Sequence, residues 1–190
     1  KGKTTKSTPL LFQLILATLP VVILGTFFDL VCGDSFRTLP VIAFTSIIFG
    51  ILLYIADQYG TFSKTLKDMT LKQALFFGLG QSLAVINGVS RSGICITVGR
   101  FLGYKRTDVA RFAFLMAIPT TTAACTFKGF QLFLLGDFSL VKDAFLVLIL
   151  SFLTGLLTVS LMMKWLKKIT FTPFVIYRIL LGIGLLLLSF

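Results

Sequence analysis

Seven consecutive residues, Asn87-Gly88-Val89-Ser90-Arg91-Ser92-Gly93, put an arginine, two hydroxyls and two glycines inside a chain that is otherwise oily. The chemistry open to that set is anion holding. A guanidinium presents a planar fork of N–H donors that fits phosphate oxygens two at a time. Serine hydroxyls add single donors, and glycine lets backbone N–H groups approach an anion closely. An arginine at membrane depth costs roughly 2.5–3.5 kcal/mol on insertion scales, so by default it marks a functional site. The competing reading is a plain polar loop between two helices, with its arginine among lipid headgroups.

The elements that carry this loop belong to a membrane protein. Of the 190 residues, 56% are hydrophobic and only 13% charged, where a soluble domain carries about 25% charged residues. Mean hydropathy is +0.98. Twenty-one phenylalanines and only five prolines fit helices better than a barrel, whose strands would alternate polar and apolar. The net charge of +11 is then explained by loop lysines and attraction to anionic headgroups, not by nucleic acid. There is no histidine, and all seven acids are aspartate. Cys32, Cys95 and Cys125 have neither metal nor redox spacing. No cleavable signal is evident, because the first apolar run is long enough to span and leads into further spans.

After a basic leader, Lys1 to Thr8, the pattern predicts a span from Pro9 to about Phe28, bent at Pro20. A polar turn, Cys32 to Thr38, precedes a second span, Leu39 to Ala56, and a wet loop, Asp57 to Asp68. Thr70-Leu71-Lys72-Gln73 is patterned as a capping box, opening a helix to about Ile86. That helix is only just long enough to cross, and Ile94 to Leu102 is about half of what crossing needs. Two short segments around a polar tip predict a re-entrant hairpin over residues 70–103. Further spans are expected at Asp108 to Phe127, Leu140 to Met163, and Pro173 to Phe190 behind a Thr172 cap. The expected fold is an all-α integral membrane protein with about five transmembrane helices and one re-entrant hairpin, in a single domain, 1–190. Its start at Lys1, not methionine, suggests a chain lacking its natural N-terminus.

Charge orients it. Successive connections fall on alternate sides, with both feet of the hairpin on one. Twelve lysines and arginines collect on the first side, including Lys64, Lys67, Lys72, Lys105, Arg106, Arg111, Lys164, Lys167 and Lys168. The second side has three, Arg37, Lys128 and Lys142, and Arg91, Arg100 and Arg178 lie within apolar segments. The positive-inside rule makes the first side cytoplasmic. The hairpin then enters from the cytoplasm and ends near mid-membrane.

The run Gly80-Gln81-Ser82-Leu83-Ala84-Val85-Ile86-Asn87-Gly88-Val89-Ser90-Arg91-Ser92-Gly93 resembles the second signature of the undecaprenyl-diphosphate phosphatases, the bacitracin-resistance family. The likeness continues through Arg100-Phe101-Leu102-Gly103-Tyr104, Arg106-Thr107, Ala110-Arg111-Phe112-Ala113-Phe114-Leu115 and Ile118-Pro119. About forty residues match densely and the flanking spans match more loosely, as the C-terminal two-thirds of a family member would. The resemblance implies one half of an inverted-repeat architecture in the bacterial inner (plasma) membrane, multi-pass, with a homodimer left open. It implies a hydrolase that converts undecaprenyl diphosphate to undecaprenyl phosphate plus phosphate. That reaction recycles the lipid carrier for peptidoglycan synthesis, cell-wall biogenesis and cell shape, and confers resistance to bacitracin. Its partners would be the polyprenyl diphosphate and membrane lipids, with no nucleic acid.

On that basis Ser90 and Arg91 are the expected catalytic residues, and Gly88, Ser90, Arg91, Ser92, Gly93 and Cys95 the expected substrate-binding ones. Cys95 stands where the family usually has a threonine; a thiol is a weaker donor, and a buried apolar cysteine competes well with that role. Asn87 replaces the usual proline with little effect expected. The family takes a divalent cation, Mg2+ or Ca2+, through a glutamate-rich first signature and a histidine that this sequence does not contain. Asp29, Asp34, Asp57, Asp68, Asp137 and Asp143 sit in turns, loops or span ends, and Asp108 at a helix start, so none is expected to hold metal. The ligands are expected in an N-terminal segment missing here, and the fragment alone is expected to be inactive.

Other polar residues have two readings each. Gln81 and Ser82 line the hairpin or satisfy a neighbouring helix; Arg100 supplements the phosphate site or snorkels to the cytoplasmic face. Arg178 pairs with a backbone carbonyl or a lipid phosphate, and Gly182 and Gly184 allow close helix approach. The rival function is a polyprenyl-phosphate flippase or secondary transporter with a phosphate-binding midplane site, built on the same broken helices. Histidine-dependent lipid phosphatases are excluded for want of a histidine.

Overall fold

The computed structural model describes residues 10–32, 38–59, 63–134 and 138–189. The expected leader Lys1 to Thr8, Pro9, Asp34, Arg37 and Asp137 lie outside these, as do the side chains of Asp29, Cys32, Lys128, Lys142 and Asp143. The described residues form seven α-helices: α1 (Leu10–Cys32), α2 (Leu39–Gln58), α3 (Leu71–Ser82), α4 (Arg91–Phe101), α5 (Arg106–Leu134), α6 (Phe138–Trp165) and α7 (Thr172–Ser189). No strand occurs among them.

Three helices are long and apolar enough to cross a membrane, at Leu39–Gln58, Ala144–Trp165 and Thr172–Ser189. α1 runs unbroken through Pro20, past the expected end near Phe28. α5 is longer still, 29 residues, but Arg111 and the threonines after Pro119 dilute its hydropathy. α3 and α4 have 12 and 11 residues, so at 1.5 Å per residue each is less than about 20 Å long. A tight 3-10 turn, Leu83–Val85, and the Ser90 region join them.

The start of α3 forms as its residues dictate. Thr70 Oγ1 accepts from the Gln73 N–H at 3.3 Å, and Gln73 Oε1 accepts from the Thr70 N–H at 3.0 Å. The same Gln73 oxygen accepts from the Tyr104 hydroxyl at 2.7 Å, which ties the foot of α3 to the end of α4. Tyr104 is fully buried, edge-on to Phe77, and Phe77 in turn stacks edge-on against Phe112 of α5 at 4.8 Å. Burial holds the Tyr104 hydroxyl protonated, its pKa raised to about 12, with Asp68 adding to the effect. This aromatic row, with Val109, Ala113 and Met116, fastens α3, α4 and α5 together.

α2 lies along α7, α1 along α3, and α4 is packed among α2, α3 and α5. Gly182 allows the expected close approach, since a Cβ there would meet the Ala43 carbonyl and Ile47 of α2; Gly184 faces open space. The expected Thr172 cap lies inside the helix instead of before it. Thr172 is itself the first residue of α7, and its N–H donates weakly to Thr170 Oγ1 at 3.4 Å.

The connections that were expected to share one side do meet at one end of the bundle. Lys64 pairs with Gly103 and Lys105 through backbone bonds, and Asp108 Oδ1 accepts from the Leu66 N–H. Asp68 caps its own short turn by accepting from the Thr65 N–H and hydroxyl; that backbone bond, first, holds its carboxyl below the usual aspartate value. Asp57 corrects the reading of a wet loop. It is buried near the end of α2 and accepts from Arg106 Nε at 2.9 Å and from the Phe171 N–H at 3.2 Å. Arg100 is corrected with it: its Nε lies 2.8 Å from Asp57 Oδ1, and both side chains are 1% exposed. Its other nitrogens donate to the carbonyls of Tyr104 and Asp57. An arginine so enclosed cannot snorkel to water; it finds its counter-charge inside the bundle.

Candidate phosphate-binding site

The tip between α3 and α4 is built with its carbonyls behind and its donors in front. The Asn87 carbonyl lies 2.7 Å from the Thr45 hydroxyl of α2, a proton that Thr45 shares with the Val41 carbonyl of its own helix. The Gly88 carbonyl accepts from Arg178 Nη2 of α7 at 2.7 Å and more weakly from Ser46 of α2 at 3.4 Å. The Val89 carbonyl accepts from the same Arg178 nitrogen at 3.0 Å. Three successive carbonyls are thus occupied from α2 and α7, while the Val89 N–H closes the turn on the Ile86 carbonyl at 3.3 Å.

Two unusual backbone conformations make that turn. Gly88 has φ +89°, and a Cβ at this position would collide with Thr45 and the Ile42 carbonyl, so only glycine fits. Ser90 has φ 66°, a left-handed conformation costing a non-glycine residue roughly 1–2 kcal/mol. Ser90 is then the N-cap of α4, its Oγ accepting from the Gly93 N–H at 3.2 Å while its own O–H stays available to donate. The N–H groups of Arg91 and Ser92 open α4, where no intrahelical carbonyl can reach them. A helix start of this kind is a ready anion site.

Arg91 is exposed at the tip and reaches across to α5. Its Nη1 donates to Thr120 Oγ1 at 3.1 Å and Thr121 Oγ1 at 2.9 Å, which fixes the guanidinium and leaves its remaining N–H groups for a ligand. Beside the tip, a cavity of about 390 Å³ runs between α2, α4 and α7. Ser46, Ser90, Ser92 and Arg178 supply its polar wall; Leu53, Phe174 and Leu181 are among the apolar residues that close it. Arg178 is 8% exposed, and its Nη1 has no hydrogen-bond partner among the described residues.

Of the expected site residues, Gly88, Ser90, Ser92 and Gly93 line this cavity, whereas Arg91 does not and is turned to Thr120 and Thr121 of α5. Cys95 is a correction. It is fully buried one turn into α4, facing Gln81 of α3, whose Oε1 lies 3.6 Å from the Cys95 sulfur, so it packs the hairpin and does not line the cavity. Gln81 and Ser82 also serve the packing, Ser82 donating to the Gly78 carbonyl. The sequence reading gave no site role to Thr45, Thr120 or Thr121, whose hydroxyls are ordinary in a helical span. Arg178 was flagged by its depth, and the carbonyl reading of it holds.

The donor set does not suit a hard cation. Such an ion wants several oxygen ligands, carboxylates above all, and no three acidic, histidine or cysteine residues converge among the described residues. Asp57 is engaged by two arginines, Asp68 by Thr65 and Asp108 by Leu66, all at the far end of the hairpin from the tip.

Fold and site together define a helical membrane protein with backbone, hydroxyl and guanidinium donors gathered at a helix start. The sequence matches the family model described as bacitracin resistance protein BacA over residues 1–184. It is 45% identical over 188 residues to an undecaprenyl-diphosphatase of Jannaschia sp. (strain CCS1), covering 98% of this chain and 70% of that one. The undecaprenyl-diphosphatase of Ruegeria sp. (strain TM1040) is 43% identical with the same coverage, and that of Aliivibrio salmonicida (strain LFI1238) is 40% identical over 188 residues, again covering 98% and 70%. The chain belongs to the BacA bacitracin-resistance family.

Proposed function

We propose that this chain supplies the phosphate-gripping part of an enzyme that hydrolyses undecaprenyl diphosphate to undecaprenyl phosphate and inorganic phosphate, with the Ser90–Gly93 helix start as the grip on the diphosphate. The protein is a membrane hydrolase of cell-wall synthesis whose activity confers bacitracin resistance. The observation that carries the site assignment is the tip itself: three carbonyls tied back and a cluster of donors turned forward. Water is added across the phosphoanhydride; the bond from the bridging oxygen to the terminal phosphorus breaks, and the lipid monophosphate leaves. Charge accumulates on the phosphoryl oxygens and the leaving oxygen, so positioning and electrostatic stabilisation are what a protein can supply. Arg91, held by Thr120 and Thr121, binds oxygens bidentately. Ser90 O–H, Ser92 O–H and the first N–H groups of α4 bind others. Arg178 and α2 hold the loop in the conformation that presents them, and the apolar cavity offers a place for the first isoprene units.

The same reading includes five transmembrane helices, a re-entrant hairpin at 70–103 entering from the cytoplasmic side, and one half of an inverted repeat in the inner membrane. A divalent cation belongs to it as well, with ligands outside the described residues. The test is phosphate release from undecaprenyl diphosphate in detergent, with and without Mg2+ or Ca2+. The purified chain is expected to bind the lipid weakly and release no phosphate, and to turn over when joined to the part of the Jannaschia sp. relative that it leaves uncovered. Tight binding by the joined protein without phosphate release would favour a transporter instead.

A further inference from the structure

At the opposite end of the hairpin from the tip, a second pocket of about 350 Å³ is lined by Arg100, Lys105, Arg106, Thr107, Leu166 and Lys167. Four of these six are cationic; Asp57 lies beside Arg100 and Arg106, and Asp68 acts on Lys105. Asp57 takes only the Nε of Arg106, at 2.9 Å, so it holds the stem of that arginine in place and leaves the terminal nitrogens without a partner among the described residues. Lys105 and Lys167 are exposed, with Asp68 acting on Lys105 from the neighbouring turn. The result is a guanidinium fork fixed from behind by a buried anion, flanked by two exposed lysines. A fork and point charges at this spacing suit a phosphate.

The surroundings say which phosphate. Trp165, 59% exposed at the end of α6, adjoins Leu166 of the pocket wall, and Phe101, 55% exposed, ends α4 at the same level. α6 leading up to it is apolar and unburied throughout Ala144–Trp165. An exposed indole between a lipid-facing helix and a run of lysines marks headgroup depth, and basic pockets between helices at that depth take anionic headgroups. We infer that this pocket binds the phosphate of an anionic phospholipid headgroup. The site is separate from the tip and does not depend on the hydrolytic reading.

Trp165 is the only tryptophan of the chain, and it supplies the assay. The chain is reconstituted in phosphatidylcholine vesicles containing increasing phosphatidylglycerol with brominated acyl chains, and quenching is compared with that by brominated phosphatidylcholine. Phosphatidylglycerol is expected to be enriched at Trp165. The Lys105→Gln/Lys167→Gln double variant should lower that enrichment by about fivefold for each lysine removed. A control pair, Lys164→Gln/Lys168→Gln, removes the same charge at the end of α6 and in the α6–α7 connection, outside the pocket lining, and should keep most of it. Arg106→Lys, which keeps the charge but not the fork, should lower it as well, with thermal unfolding run alongside to show that each variant is folded. Equal quenching by the two lipids, or equal loss in the control pair, would overturn the pocket. Reversal of the quenching by millimolar inorganic phosphate would make free phosphate the ligand and overturn the lipid assignment.

Discussion

Replacing Arg178 with methionine tests whether the tip is held from behind. Methionine keeps the apolar stem that packs against α2 and removes the guanidinium. Two hydrogen bonds go with it, to the Gly88 carbonyl at 2.7 Å and the Val89 carbonyl at 3.0 Å. A bond to a charged donor contributes about 1.5–3 kcal/mol. Both bonds here come from one nitrogen, so their sum overstates the loss, and Ser46 still reaches Gly88 at 3.4 Å. We take about 2–4 kcal/mol as the weakening of the loop. Against it stands the left-handed backbone of Ser90, worth roughly 1–2 kcal/mol toward relaxation. The held conformation should therefore become a minor state. At 1.36 kcal/mol per tenfold, kcat/KM for phosphate release should fall about 30- to 1,000-fold in the joined protein described above.

The distribution of that loss is the sharper test. A residue that only positions the loop lowers the competent fraction before substrate binds, which raises the apparent KM, while bound substrate restores the loop and much of kcat. Arg91→Ala, which removes a group placed on the phosphate itself, should lower kcat instead. Arg178→Lys should lie between wild type and Arg178→Met, because an ammonium on a shorter stem cannot serve both carbonyls from one planar group. A kcat/KM within threefold of wild type for Arg178→Met would refute the holding role. So would a loss carried wholly by kcat, which would put Arg178 on the reacting phosphate.

Asp57→Asn leaves Arg100 charged at 1% exposure; breaking such a pair costs about 3–5 kcal/mol, so the detergent melting temperature should drop by many degrees and recover in part in Asp57→Asn/Arg100→Met. Melting of the single variant within a degree of wild type would contradict the buried pair. Tyr104, with its folded pKa raised to about 12 by burial, contributes stability that is complete below its unfolded value near 10 and is lost as pH rises through 12; Tyr104→Phe should flatten that alkaline fall in melting temperature. Single cysteines at Ser63 and Lys167, in a background without native cysteines, should resist impermeant thiol reagents in intact cells, and ready labelling at both would reverse the orientation. Arg91→Lys should fail to support phosphate release despite normal expression, since an ammonium lacks the fork; near-normal release would remove Arg91 from the site.

What could be read from the residues divides along a physical line. The capping box at Thr70, the polar tip and the placement of the lysine-rich connections at one end are local or periodic properties, and each is in the structure. Most helix bounds were legible to a few residues for the same reason, but α5, expected over Asp108 to Phe127, runs Arg106–Leu134. What the residues did not give is pairing across the bundle. Asp57, at the edge of an apolar run and next to a polar connection, looked solvated, because nothing in its neighbours shows that Arg100 and Arg106 close over it. Yet there was a signal: Arg100 sits in an apolar segment, a buried cation needs a counter-charge, and Asp57 is one of the few acids at that end.

Arg178 follows the same logic from the other direction. Its depth in the last span marked it, but a lone cation in an apolar helix has two ways to be satisfied, an anion or a set of carbonyl oxygens. The structure shows that it uses the carbonyls of the very loop that leads into α4. That choice matters to the chemistry. A peptide unit presents its C=O and N–H in opposite directions, so donors can be concentrated on one side of a loop only where the carbonyls find partners on the other. Thr45, Ser46 and Arg178 are those partners, and they come from helices 42 to 90 residues away in sequence. The signature at the tip supplies the groups proposed to touch phosphate, while α2 and α7 hold the loop that carries them. A transplanted tip without α2 and α7 should therefore bind phosphate poorly even with every residue from Asn87 to Gly93 in place.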